Sequence, residues 1–135
     1  MAPSAQQALS ILRDGSRFEW YVIPFLLVVI YVYFVDIGKK DWRAVCGGLA
    51  FWAMDWHAEI WNAVIMRASG YAPLWGTPGK TAYQILVGLN IEISLMFLIM
   101  GIVAVKVLPA DRSSRILGVP NRLFISALLA VCCIL

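Results

Sequence analysis

Four apolar runs, separated by short polar or glycine- and proline-rich segments, organise the chain. They cover about residues 18–36, 42–66, 81–108 and 121–135. A helix needs roughly 20 mainly apolar residues to cross about 30 Å of hydrocarbon. The pattern therefore predicts an all-α, polytopic helical membrane protein with three full transmembrane helices and a partial fourth, in one domain over residues 1–135. The last run would reach only about 22 Å at 1.5 Å per residue and would leave its final carbonyls without water. Continuation of the chain beyond Leu135 is the expectation. Pro24, one turn inside the first run, is expected to kink it.

Before the first run, the N-terminal segment lacks an apolar core followed by a small-residue cleavage site, so it does not read as a cleaved signal peptide. Either a disordered tail or a short interfacial segment fits. In the second case Leu9, Ile11 and Leu12 take one side, and Arg13, Asp14 and Arg17 the other. The segment between the second and third runs holds Tyr71, Pro73, Trp75 and Pro78, which suits a lid over a membrane cavity or an anchor at headgroup level.

Composition narrows the class. The chain is 61% hydrophobic and 14% charged, against about 45–50% and about 25% in soluble domains, which argues against a soluble domain, disorder and nucleic-acid binding. Basic residues favour one side: Lys39, Lys40, Arg43, Lys106, Arg112, Arg115 and Arg122 against Arg13, Arg17, Arg67 and Lys80. The positive-inside rule then predicts an inner or cytoplasmic-type membrane with the N-terminus outside. Cys46, Cys132 and Cys133 all lie in apolar runs and are expected to be reduced and buried.

The strongest signal is polar. Asp55, His57, Glu59 and Asn62 sit mid-way along the second run, where each charge costs about 2.5–3.5 kcal/mol on insertion scales. At 100° per residue Gly48, Trp52, Asp55, Glu59 and Asn62 share one stripe, the glycine permitting close helix approach. His57 falls on the far side. Read as a helix, the third run places Gln84, Gly88 and Glu92 on a second ridge, continuous with Thr81, while Asn90 points elsewhere. Counted inward from the intervening loop, Asp55 and Glu92 are level, so the ridges can face each other beneath Trp52 and Trp56. Three carboxylates so placed could not all stay ionised.

Such a cluster could relay protons, coordinate a cation, or act on an apolar substrate with Glu59 as the acid and Asp55 beside it. Asn62, Glu92, Gln84, Trp52 and Trp56 would then contact the ligand. The structural alternative is interhelical glue in an accessory subunit of a larger membrane complex. No metal site is expected and no cofactor follows from the residues: there is no glycine-rich phosphate loop, paired-histidine helix or CxxC pair. Expected partners are the lipid bilayer, further transmembrane helices from this or another chain, and an apolar small molecule.

Trp56, Glu59 and Asn62, followed by Asn90, resemble the second and third helices of the integral-membrane terpene cyclases of meroterpenoid and indole-diterpene pathways. That family carries an Asn, a Trp and a catalytic Glu in its second helix and a further Asn in its third, although its Asn precedes the Glu. The resemblance implies an isoprenoid substrate protonated by Glu59, with Trp52 and Trp56 lining the pocket.

Overall fold

The computed structural model describes residues 1–77, 82–109, 111 and 113–134, the last three of these by backbone alone. Helix α1 (Pro3–Ser10) and a single 3-10 turn (Gly15–Arg17) lead into α2 (Val22–Gly38) and the long α3 (Trp42–Ser69). A short antiparallel hairpin, β1 (Gln84–Leu86) with β2 (Leu89–Asn90), precedes α4 (Ile91–Val107). A second hairpin, β3 (Arg115–Ile116) with β4 (Val119–Pro120), leads into α5 (Asn121–Ile134).

These boundaries overturn the expected all-α fold of three full spans and a partial fourth. Among the described residues no helix is both long enough and apolar enough to cross a membrane. Two physical causes account for it. Helices α2 and α4 have 17 residues each and α5 has 14, short of the roughly 20 that a crossing needs. The 28-residue α3 is long enough, but Asp55, His57, Glu59 and Asn62 depress its hydropathy.

Helix α2 starts four residues later than the apolar run, which puts Pro24 in its first turn. There the missing N–H has no intrahelical partner to lose. The third run departs further. Its first ten residues enclose a turn at Val87 and Gly88, and Asn90 caps α4 by accepting from the Ile93 N–H at 2.8 Å. Extended backbone and a cap therefore replace the predicted first turns of helix.

Helices α3 and α4 run antiparallel and make the closest packing. A side chain on Gly101 would meet the Gly48 Cα at 2.7 Å and its carbonyl oxygen at 2.9 Å, so the two backbones touch through glycine. Phe51 stacks on Phe97 at 5.3 Å nearby. Helix α2 closes the core, with Val22 and Val29 against Ala82 and Leu95, and the Tyr33 hydroxyl donates to the Leu98 carbonyl at 3.1 Å.

The N-terminal segment is ordered and packed. Ala5 and Ala8 are buried, the Ala2 N–H donates to the Tyr71 carbonyl at 2.8 Å, and the Arg13 N–H to the Gln84 carbonyl at 2.8 Å. Helix α1 thus covers the loop after α3 and the first hairpin. Cys46 is exposed rather than buried, while the side chains of Cys132 and Cys133, together with Pro78, Lys80, Thr81, Arg112 and Leu135, lie outside the described residues.

Candidate functional site

The polar stripe of α3 folds inward. Gly48, Asp55, Glu59 and Asn62 are all buried, whereas His57 is exposed and accepts from the Trp61 indole N–H at 3.1 Å. The stripe meets the loop that α3 itself feeds into. Gly70, with φ of 62°, ends α3 in the left-handed conformation and turns the chain back.

Asn62, fully buried, clamps this returning loop. Its Oδ1 accepts from the Leu74 N–H at 2.8 Å and the Trp75 N–H at 3.4 Å. Its Nδ2 donates to the Trp75 carbonyl at 2.9 Å and to Glu59 Oε2 at 3.4 Å. One side-chain amide thereby satisfies three backbone groups that no sheet or helix serves. The Trp75 indole N–H donates in turn to Glu59 Oε1. Both oxygens of Glu59 are thus engaged by the protein itself.

The hairpin closes over this arrangement. A side chain on Gly88 would meet Glu59 Oε2 at 2.5 Å and Trp75 Cδ1 at 2.6 Å, so the turn lies directly on the carboxylate. Gln84, on β1 rather than on a helical ridge, holds the turn from inside. Its Nε2 donates to Leu86 O at 2.7 Å, Val87 O at 2.9 Å and Thr77 Oγ1 at 2.7 Å.

Glu92 does not join Asp55 and Glu59. From the first turn of α4, its Oε1 accepts from the Tyr21 hydroxyl at 2.6 Å and the Ala82 N–H at 2.7 Å, tying the start of α2 to the chain before the hairpin. That bond, which stabilises the phenol, pushes Tyr21 up to about 12. Helical geometry over residues 81–90 would face Glu92 towards Asp55, but residues 84–86 and 89–90 are strands. Asn90 likewise serves as a cap instead of pointing to another helix.

Asp55 is different. It is 8% exposed, and its Oδ2 is buried with no hydrogen-bond partner among the described residues. Burial, and after it the Glu59 charge, raises its carboxyl to about 6. Nearby, Trp52 donates to Ser94 Oγ at 2.8 Å and meets Trp56 edge-on at 5.9 Å; the buried Trp56 Nε1 has no partner among the described residues. A carboxyl raised on folding holds its proton more tightly in the native state, so the contribution of Asp55 to stability is fully present below about pH 4 and is lost as pH rises to about 6. Asp55→Asn is expected to flatten this slope between about pH 4 and 6 and to stabilise the protein at pH 8 by on the order of 2 kcal/mol. Unfolding midpoints across that pH range check it.

Among the described residues, no group of three His, Cys, Asp or Glu side chains is placed to hold a metal ion. What the geometry provides is a hydrogen-bonded lock between α3, its own loop and the hairpin, with one raised acid beside it.

No solved structure matches the chain. A protein of Archaeoglobus fulgidus, described only as an uncharacterized protein, is 56% identical over 131 residues, which is 97% of this chain and 62% of that protein. The chain therefore spans less than two thirds of that relative's length. The model of an uncharacterized membrane protein family matches residues 2–135, and its description does not mention terpene cyclisation. Matched across nearly its whole length, this chain belongs to that membrane protein family.

Proposed function

We propose that the chain is a structural module of a membrane assembly, an accessory part rather than a catalytic one. The observation that carries this reading is the outer face of α2. Ile23, Leu27, Ile30, Tyr31 and Phe34 are between 41% and 68% exposed and follow helical spacing, so they form a continuous apolar stripe. A stripe of this kind marks a surface covered by lipid or by another helix. The polar cluster supports the same reading from inside: Glu59 and Asn62 spend their hydrogen-bonding capacity on Trp75 and Leu74, leaving Glu59 poorly placed to protonate a substrate.

Glu59→Gln tests this directly. An amide still accepts from the Trp75 indole, so folding, assembly and biological function should stay within about twofold of wild type. A Glu59→Gln protein that folds and assembles normally, yet fails to replace the wild type in a strain lacking it, would overturn the structural reading in favour of an acid.

An apolar ligand with a hydrogen-bonding head is the second reading. Asp55 Oδ2 and Trp56 Nε1 favour it, an acceptor and a donor buried side by side in sequence without partners among the described residues. That reading makes Asp55→Leu, not Glu59→Gln, the variant that loses the ligand.

A further inference from the structure

At the end of the helices opposite the Glu59 lock, the turn between α2 and α3 meets the end of α4. A cavity of about 370 Å³ lies there, with Asp41, Arg43, Val105, Lys106, Leu108 and Pro109 in its walls. Arg43 reaches across from α3 and its Nη2 donates to the Val105 carbonyl at 3.2 Å and the Leu108 carbonyl at 3.3 Å. These are carbonyls at the end of α4, which a cation stabilises. The Arg43 Nε and Nη1 take no part in those bonds, so the planar fork keeps donors to spare. Lys106 Nζ pairs with the buried Asp36 at 2.6 Å, and its own side chain remains 47% exposed, with further ammonium hydrogens to give.

Two acids share this end. Asp36 holds Lys106 through Oδ1, its buried Oδ2 having no partner among the described residues, and Asp41 accepts from the Ala44 N–H at 3.2 Å as the cap of α3. Lys39 and Lys40, both exposed, precede Asp41 in the same turn and raise the local positive potential. Basic donors together with the apolar side chains of Val105, Leu108 and Pro109 give the cavity two chemistries at once. A phosphate diester attached to a glycerol and acyl chains has the same two.

We infer that this cavity binds the headgroup of an anionic phospholipid, with Arg43 and Lys106 on the phosphate and the α4 end against the glycerol. Clusters of Lys and Arg at a membrane surface attract anionic lipid headgroups, and Arg suits a phosphate through paired donors. The site lies at the other end of the molecule from the Glu59 lock, and it stands or falls independently of the structural reading above.

Binding to the detergent-solubilised protein, measured by native mass spectrometry with phosphatidylglycerol, phosphatidylcholine and inorganic phosphate, tests it. Phosphatidylglycerol should bind about tenfold more tightly than phosphatidylcholine, and millimolar phosphate should not displace it. Arg43→Gln, which removes the charged fork, should lose roughly five- to tenfold of phosphatidylglycerol affinity. The double variant Lys39→Gln with Lys40→Gln, at exposed positions outside the cavity, should lose clearly less. Equal affinity for the two lipids overturns the site. So does displacement by free phosphate, which assigns the cavity to a soluble anion, and so does an equal loss in the two variants, which reduces the effect to diffuse attraction. Should Arg43→Gln fail to fold, the lipid preference and phosphate competition of the wild-type protein decide between the same outcomes.

Discussion

Asn62→Leu is expected to release the loop that follows α3 while leaving the helices paired. The leucine fills a similar volume but strands the Leu74 and Trp75 N–H groups and the Trp75 carbonyl, all of which Asn62 serves. Each buried group left unpaired costs about 1–3 kcal/mol. Because Leu74 and Trp75 are 66% and 44% exposed, the loop can recover part of that by turning to water. A net loss of about 3 kcal/mol follows, and it should be local. Amide hydrogen exchange would show it as lost protection at residues 70–77 and in the hairpin over residues 84–90, with the centre of α3 unchanged. Uniform loss of protection along α3 would contradict a local clamp.

Gly101→Val should act on the other bond of the fold, the contact between α3 and α4. Its new side chain would meet the Gly48 backbone at 2.7 Å and the Phe51 Cβ at 2.8 Å, and neither is a flexible tip that can swing aside. Overpacking of this kind costs about 1–3 kcal/mol and at times more. Here the obstacle is backbone, so a loss at or above about 3 kcal/mol is expected, with separation of the Phe51 and Phe97 rings. Gly38→Ala provides the control: nothing lies within 4 Å of an added Cβ there, and the higher helix propensity of alanine should leave stability unchanged or slightly raised. Thermal unfolding midpoints of the two variants measure the difference.

How far the sequence reaches can be seen residue by residue. On α3 the arithmetic of 100° per residue groups Gly48, Trp52, Asp55, Glu59 and Asn62; Trp52 is half-buried and the other four are buried, while His57 is exposed. A single uninterrupted helix has no freedom to rearrange such a stripe, which is why it is legible. The third apolar run misleads because its hydrophobicity hides the local chemistry. Gly88 permits a turn that rests on Glu59, and Asn90 followed by Glu92 is a helix start. Read for caps and turns before hydropathy, those residues would have moved the start of α4 and removed Gln84 from any helical ridge.

The same cause explains what was missed at the site. The sequence suits Trp75 to headgroup level or a lid, but its indole is the donor to Glu59. Tyr21, the partner of Glu92, carried no signal, because the pair joins residues 71 positions apart through the start of α2. Long-range hydrogen bonds of this type depend on how helices register against one another, and hydropathy does not encode that. The expected spans failed on length and on composition separately, α2 and α4 being short and α3 being polar.

If Glu59 is a structural acceptor for its own loop, the Trp75 indole N–H reports it. In the isotope-labelled wild-type protein, the Trp75 indole proton should be shifted downfield by its acceptor on Glu59 and slow to exchange with water. It should move back towards the ordinary indole position in Glu59→Gln, whose neutral amide is the weaker acceptor. A Trp75 indole in the wild type that resonates at the ordinary position and exchanges freely with water would contradict it.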